Sequence, residues 1–335
     1  MRNPADNLSP QIRTRPEYIP VPGISEGDPS CFAAIFRIRY LGYQEAGIPF
    51  STSGENEPIS RIDEHISSLQ AALDSPEHAM DRSEMLREVI GPNVLELGSG
   101  TGSIVRLIGT HCDNLDLLVG VEFSPHFFEH AANRLTDIPE GPTRPKRIFL
   151  IRADITQMSI RPEHFNTIVL SSIVHEIKSY HSAEKVKRLF GKIHGGLKPG
   201  GRVVICDGFR RPGAMARLSF TTAVAKERFD AYLRTLIRPF SYTNEGGTII
   251  LPTTDAIEFA IKTQFDNWKG EIGEDYYPFT PLEYIQMLKE CGFTDIRMET
   301  SPEEGDFLEG IRIEDFETGE NEAGSHNNVM IVATK

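Results

Sequence analysis

The chain has 335 residues, is 39% hydrophobic and 25% charged, and carries a formal charge of −13. That length and apolar share suit a soluble globular protein with a sizeable core, and no stretch approaches the ~20 apolar residues of a membrane span. The acidic balance disfavours duplex DNA or RNA as a partner, because phosphate binding needs a basic surface.

The first 23 residues contain no apolar run and do not read as a secretory signal. Residues 1–30 hold six prolines and few large apolar groups, which predicts an extended or disordered arm. Cys31 to Tyr43 reads as a helix with Phe32, Ile35, Phe36 and Leu41 on one stripe. Residues 50–60 read as loop, and Arg61 to Leu73 and Ser83 to Ile90 as helices, with Asp81 or Ser83 as cap of the second. Together 31–90 form an N-terminal helical segment.

From Asn93 the rhythm changes to alternating strands and helices. Val94 to Leu97 is a short apolar strand that runs into Gly98-Ser99-Gly100-Thr101-Gly102. Ile104, Val105, Leu107 and Ile108 then follow at helical spacing. Glycines suit such a turn because its backbone angles exclude a Cβ and its backbone must approach a ligand closely. The helix behind it points free N–H groups at the same spot. Leu115 to Val121 is a second strand ending at Glu122, and Pro125 to Leu135 a helix capped by Ser124 with Pro125 at its first position. Arg147 to Ile151 is a third strand ending near Asp154. Thr167 to Leu170, extended through Ser171-Ser172, is a fourth. Ala183 to Gly195 is a helix closed by the turn Leu197-Lys198-Pro199-Gly200-Gly201, and Arg202 to Cys206 is a fifth strand. This alternation predicts a parallel sheet with helices on both faces.

The pattern breaks after Asp207. Ala214 to Ile237 and Asp255 to Trp268 read as mostly helical, and the segments 239–254 and 269–280 as aromatic loops. Pro281 to Cys291 is a helix capped by Thr280. Phe293 to Glu299 and Asn328 to Thr334 are two late strands, joined by an acidic loop or hairpin over 302–327.

A Gly-x-Gly-x-Gly turn alone is a weak signal, and its neighbours raise the specificity. Glu122 lies at the end of the second strand, where a carboxylate can accept both hydroxyls of a ribose. Asp154 lies at the end of the third, where it can receive an adenine amino group. All three points fall at carboxyl ends of parallel strands, where such sheets bind ligands. The set Val94 to Gly102, Gly120-Val121-Glu122, Ala153-Asp154-Ile155, Phe165 to Val169 and Leu197 to Gly201 resembles the class I S-adenosylmethionine-dependent methyltransferases. The likeness covers about residues 85–207 well and 280–335 in outline. It implies a Rossmann-like α/β fold: a seven-stranded, mostly parallel sheet with helices on both faces, its last strand antiparallel. Here the N-terminal helical segment and a helical lid would be added. The organisation expected is an arm 1–30, a helical segment 31–90, a cofactor-binding core 91–207, a lid 208–279 and a completion of the core sheet over 280–335.

The resemblance also implies roles. Glu96, Gly98, Ser99, Gly100, Thr101 and Gly102 would surround the methionine part of S-adenosylmethionine. Glu122 would hold the ribose and Phe123 would pack on the adenine. Asp154 would meet the adenine amino group, with Ile155 under the ring, and Ser171 and Ser172 would border the sulfonium. A phosphate-binding GxxxxGK[ST] is absent, as a phosphate-free cofactor permits. A nicotinamide dehydrogenase fits less well, because the third glycine comes one residue early.

Methyl transfer needs an aligned nucleophile and, for some acceptors, a base. His175 is the candidate base, since imidazole titrates near neutrality. Glu176 could orient it or bind a cationic acceptor. The Asn/Asp-Pro-Pro-Tyr sequence of amide and base methylating members is missing, and Val-His-Glu-Ile looks more like the small-molecule enzymes. The expected function is methyl transfer to O, N or C of a small-molecule acceptor. Alternatives are methylation of tRNA or protein, or a non-catalytic cofactor-binding partner in a biosynthetic complex. The spacing of Asp154, Glu176 and Asp207 gives no reason to expect a metal. Four scattered cysteines argue against a disulfide framework and for a reducing, cytoplasmic compartment. No membrane partner is expected, and a homodimer is left open.

Overall fold

A computed structural model describes residues 36–37, 83–135, 138, 145–235, 238–264, 268–304, 310–315 and 325–335. The arm 1–30, the loop 50–60, the helix 61–73 and Asp81 lie outside the described residues. The chain divides into two units. One comprises Met1–Ser171, Gly191–Val204 and Thr334–Lys335, the other Ser172–Phe190 and Ile205–Ala333.

In the first unit, β2 (Asn93–Leu97), β3 (Leu117–Glu122), β4 (Arg147–Arg152) and β5 (Phe165–Ser171) carry the expected strand series. β2 pairs in parallel with β3 and with β5, and β3 in parallel with β4. Every residue of β3 is buried, as in a sheet covered on both faces. α1 (Ser103–His111) and α2 (Pro125–Leu135) connect these strands. α1 buries Ile104, Val105 and Ile108, the spacing read from the sequence. Pro125 opens α2, where a missing N–H costs nothing, and the Phe127 N–H reaches Ser124 Oγ at 3.4 Å.

The remaining strands are β6 (Leu197–Gly208), β10 (Thr294–Glu304) and β12 (Ser325–Thr334). These seven strands lie in the order β4-β3-β2-β5-β6-β12-β10 and form the expected mostly parallel, Rossmann-like sheet, with an eighth strand beyond β4. The eighth is a correction. Phe36–Arg37, read as part of a helix, is the short strand β1, antiparallel to β4. A second correction concerns Lys198 to Gly201, read as a turn before the fifth strand. β6 already includes them, and the Gly200 N–H and Gly201 carbonyl pair with Lys335 at the chain end. The turn signal survives only as the left-handed φ of 75° at Gly200.

In the second unit, the segment read as a helical lid contains a sheet. β7 (Met215–Phe220), β8 (Thr243–Glu245), β9 (Thr248–Pro252) and β11 (Ile311–Asp315) form an antiparallel sheet of order β11-β7-β9-β8. β7 was expected to be helical, yet Ala216 and Leu218 are buried while Arg217 between them is exposed, a period of two. β8 and β9 are joined by Gly246-Gly247, both at positive φ (63° and 99°), the backbone a two-residue hairpin turn requires. Part of the segment 302–327, read as an acidic loop or hairpin, is β11, paired with β7. Helices α5 (Ala223–Arg234) and α6 (Thr253–Gln264) accompany this sheet, with Phe229, Tyr232, Phe259, Ile257 and Leu251 in its core. The unit also holds α3 (Val174–Tyr180), the short α7 (Trp268–Glu271) and α8 (Pro281–Glu290), with α4 (Ala183–Gly196) shared between the units. α8 has a capping box. Thr280 Oγ accepts the Glu283 N–H at 3.3 Å and Glu283 Oε2 accepts the Thr280 N–H at 2.7 Å.

Candidate functional site

The first unit builds a ligand cradle from the ends of β2, β3 and β4. Gly98, Gly100 and Gly102 all have positive φ (80°, 49° and 79°), so the turn needs glycine for its backbone. The Gly98 and Ser99 N–H groups donate to the Val121 carbonyl at 2.9 and 2.8 Å, which ties the turn to the end of β3. A Cβ on Gly102 would lie 2.9 Å from Ala131 of α2, so this glycine also sets how closely the two helices approach. A Cβ on Gly100 would meet nothing within 4 Å, and the turn opens there.

Glu122 closes the cradle. Its Oε2 accepts the Gly100 N–H at 2.7 Å and its Oε1 accepts the Ser124 N–H at 2.7 Å. Residue exposure is only 7%. Burial pushes the carboxyl up to about 7, against the backbone N–H groups of Ser124, Gly100 and Phe123 that hold it down. The backbone N–H groups take part of the acceptor capacity of the carboxylate, and the rest is left for a hydroxyl donor. Phe123, next along the chain, is 47% exposed and offers an aromatic face. Among the first residues of α1 there is no acid and no side-chain cap, so that N-terminus suits an anionic group. These features fit an adenosyl ligand with two ribose hydroxyls and a carboxylate tail.

The other expected residues fall as follows. Glu96, Ser99 and Thr101 are buried beside the turn. Thr101 Oγ lies 3.1 Å from Ser103 Oγ, which also accepts a hydrogen bond from Arg134 of α2. Arg134 was not singled out from the sequence. Asp154 spends Oδ1 on the Thr156 N–H at 2.8 Å, a turn role that leaves its other oxygen for a ligand. Its loop is held by Lys192, whose ammonium donates to the carbonyls of Thr156 and Met158 at 2.8 and 2.9 Å. Ile155 is buried. Ser171 ends β5, and Ser172 follows at φ 51°, a left-handed backbone on a non-glycine residue.

The second unit holds a separate group of ionisable side chains around His175. His175 Nδ1 lies 2.8 Å from Asp207 Oδ1. Asp207 Oδ2 accepts the N–H groups of Ile173, Val174 and His175 at 3.1, 2.7 and 3.3 Å, so the same carboxylate caps α3. His175 Nε2 faces Glu274 Oε2 at 3.7 Å, and Glu274 Oε1 accepts the Tyr180 hydroxyl at 2.7 Å. The Tyr276 ring meets the imidazole edge-on at 5.3 Å. Burial opposes charge on His175, but the Asp207 carboxylate outweighs it. With help from Glu176 and Glu274 it pushes the imidazole up to about 9. Burial in turn raises the Glu274 carboxyl, with His175 opposing. Glu176 was expected to orient His175 or to bind a cationic acceptor; the carboxylate that meets His175 Nδ1 is Asp207, near the end of β6, while Glu176 sits in the first turn of α3. Asp207 and Glu274 were hidden because they lie 32 and 99 positions along the chain from His175.

A denser ion cluster adjoins this group, joined to it by the Tyr276 N–H, which donates to Glu258 Oε1 at 2.7 Å, and by the Lys262 ammonium, which donates to the Glu274 carbonyl. Arg238 contacts Asp255, Glu258 and Asp275 at 3.0, 3.0 and 3.4 Å, and buried Lys262 meets Glu258 at 2.7 Å. Two cations stand among three buried carboxylates across helices and loop, and the cluster reads as a buried structural network. Among the described residues no group of three His, Cys, Asp or Glu is placed to hold a metal ion, and no helix is long and apolar enough to cross a membrane.

The comparisons bear on the first unit most. Residues 95–203 match the family model of the methyltransferase domain. No curated protein matches the chain. Among solved structures, an S-adenosylmethionine-dependent methyltransferase from Mesorhizobium loti is 18% identical with TM-score 0.46, over 78% of this chain and all of that one (100%). A Nostoc punctiforme protein described as a candidate O-methyltransferase is 15% identical with TM-score 0.47, over 85% of this chain and 63% of its own. Phosphoethanolamine N-methyltransferase 2 of Haemonchus contortus, solved with phosphomonomethylethanolamine and S-adenosylhomocysteine, is 14% identical with TM-score 0.48. The match covers 83% of this chain and 58% of the Haemonchus protein. The chain thus spans less than two thirds of the Nostoc and Haemonchus proteins. The matched residues 95–203 contain the glycine turn, Glu122 and Asp154, so the part of the chain that is similar to a methyltransferase domain is the part that forms the cradle.

Proposed function

We propose that the protein transfers a methyl group from S-adenosylmethionine to an O, N or C atom of a small-molecule acceptor. The observation that carries this reading is the Glu122 carboxylate, buried and bonded at 2.7 Å to Gly100 across the glycine turn of a matched methyltransferase domain. When bound, the cofactor supplies a methyl carbon already activated by its sulfonium. Glu122 takes the ribose hydroxyls on its free lone pairs, and Phe123 stacks on the adenine. Asp154 receives the adenine amino group, over Ile155. The turn Gly98 to Gly102, Glu96 and the start of α1 hold the methionine end, where backbone N–H groups attract its carboxylate. Ser171 and Ser172 border the methyl.

In the second unit His175 acts as general base through Nε2, taking the proton of an acceptor hydroxyl or amine. Glu176 offers a carboxylate to a cationic part of the acceptor. The chain's charge of −13 supports a small acceptor over RNA, and the buried thiol of Cys112 supports a reducing, cytoplasmic setting. The test is to supply labelled S-adenosylmethionine with a panel of phenols, amines and carboxylic acids, and to follow S-adenosylhomocysteine release and the methylated product. The reading expects release with at least one acceptor and none with bulk tRNA. Cofactor binding with no release from any small acceptor, or release only with RNA or protein, would overturn it.

A further inference from the structure

We propose that the buried cluster around Arg238 holds one exchangeable proton, shared by Asp255 and Asp275, and that this proton latches the segment 274–276 to α6. The latch lies wholly within the second unit and does not depend on the methyl-transfer reading.

The side chains alone leave the cluster unbalanced. Arg238 and Lys262 face Asp255, Glu258 and Asp275, which leaves one negative charge in excess. The three carboxylates and Lys262 are each only 2% exposed, so water does little to screen that excess. Two oxygens show where it sits. Asp275 Oδ2 is buried and receives no hydrogen bond from the described residues. Asp255 Oδ1 receives none either, although Arg238 Nη1 stands 3.0 Å away. A buried acceptor without a donor is destabilising, and an uncompensated buried charge is more so. One proton on these carboxylates answers both, because it removes the excess charge and turns an acceptor into a donor. Among the described residues no group of three His, Cys, Asp or Glu is placed to hold a metal ion, so the proton is the cation that fits. A cavity of about 10 Å³ borders Asp275, Arg238, Glu258 and Lys262, room for one water through which the proton comes and goes.

The same cluster is bonded to three consecutive residues. The Lys262 ammonium donates to the Glu274 carbonyl, Arg238 contacts Asp275, and the Tyr276 N–H donates to Glu258 Oε1 at 2.7 Å. On its other side the segment meets α3. The Asp275 N–H donates to Ser179 Oγ at 2.7 Å, and Glu274 Oε1 accepts the Tyr180 hydroxyl at 2.7 Å. An unbalanced charge on Asp275 pushes this segment away from Asp255 and Glu258, and the proton removes that push. The ionisable groups facing the two aspartates are Arg238, Glu258 and Lys262 in the cluster, Tyr232 from α5, Arg210 beyond β6, Lys178 from α3, Tyr284 from α8 and Glu274 beside Asp275. Burial raises both aspartates above the usual carboxylate range, with Glu258 adding to it and Arg238 opposing.

The test is carboxyl-resolved carbon NMR of the full chain, in the parent and in D275N. In the parent Asp255 should titrate at about 7, where an ordinary aspartate titrates near ~3.9. D275N removes the excess charge, so Asp255 should hold its proton at least about tenfold less tightly. Hydrogen exchange reads the latch. Corrected for the pH dependence of free amides, protection of the residue 275 and Tyr276 N–H groups should fall at least about tenfold between pH 6 and pH 8 in the parent and stay constant in D275N. Stability follows by linkage. The folded chain keeps this proton up to about 7, while the unfolded chain releases it near ~3.9. Its contribution is therefore full below ~3.9 and is lost as pH rises through about 7, so D275N should gain on the parent in urea over that window. A parent in which Asp255 and Asp275 both titrate below about 5 overturns the proposal. So does an Asp255 midpoint that is the same in the parent and in folded D275N, or amide protection that changes equally with pH in the two. Should D275N not fold, the parent spectrum decides, and D255N, read at Asp275, repeats the comparison.

Discussion

On the proposed reading the buried Glu122 carboxyl receives the ribose hydroxyls, and that makes cofactor binding sensitive to pH. Ribose hydroxyls donate to a carboxylate and pair poorly with a carboxylic acid. With the free group held up to about 7, binding must expel its proton at lower pH. S-adenosylhomocysteine affinity should therefore rise about tenfold between pH 6 and pH 8, and the E122Q variant should show no such rise. Calorimetry across that range checks it, and a pH-independent parent would count against the clamp. His175 works in the opposite sense on stability. The folded protein keeps its proton up to about pH 9, whereas the unfolded chain releases it near ~6.5. Its pairing with Asp207 thus stabilises the fold fully below ~6.5, and that contribution is lost as pH rises through about 9. Thermal melts of the parent should fall over this window more than those of H175Q.

At the scale of single elements, two joints carry much of the architecture. Gly102 begins α1 at φ 79° with its missing Cβ against Ala131 of α2. G102A should cost about 1–3 kcal/mol of stability, since strain and overlap act together, and urea unfolding would read it. In the second unit Arg238 holds Asp255, Glu258 and Asp275, all buried. Burial already pushes Asp255 up to about 7. R238A should cost about 3–5 kcal/mol by leaving these carboxylates uncompensated. R238K should cost less but still destabilise, because a point charge cannot reach three partners as the guanidinium does. Equal stability of R238A and parent in urea would show that the cluster is idle.

For the whole molecule, legibility in the sequence followed how local the signal was. β2 through α2 could be read because apolar runs, the Ser124-Pro125 start and the glycine turn each act within a few residues. The glycine turn, Glu122 and Asp154 fall at neighbouring strand ends with them, since strand ends converge in any parallel sheet of this kind. The second sheet was missed for two reasons. β7 was obscured by the helix-forming residues of α5 beside it, and its alternation spans only Met215 to Phe220. β8 and β9 were masked by aromatic loop composition, although Gly246-Gly247 between Thr243–Glu245 and Thr248–Pro252 is a hairpin signature. The partners of His175 could not be read at all, because nothing in the sequence links positions 175, 207 and 274 until the chain is folded.

The central claim is that an acid at the tip of β3 and the glycine bend of β2 together hold an adenosyl cofactor. Isothermal calorimetry with S-adenosylhomocysteine at pH 8, on the parent and on E122A, tests it most directly. The account predicts one site per chain in the parent and about 10- to 100-fold weaker binding in E122A, the loss of hydrogen bonds to a charged group. No heat with the parent, or equal affinity in a folded E122A, would contradict it.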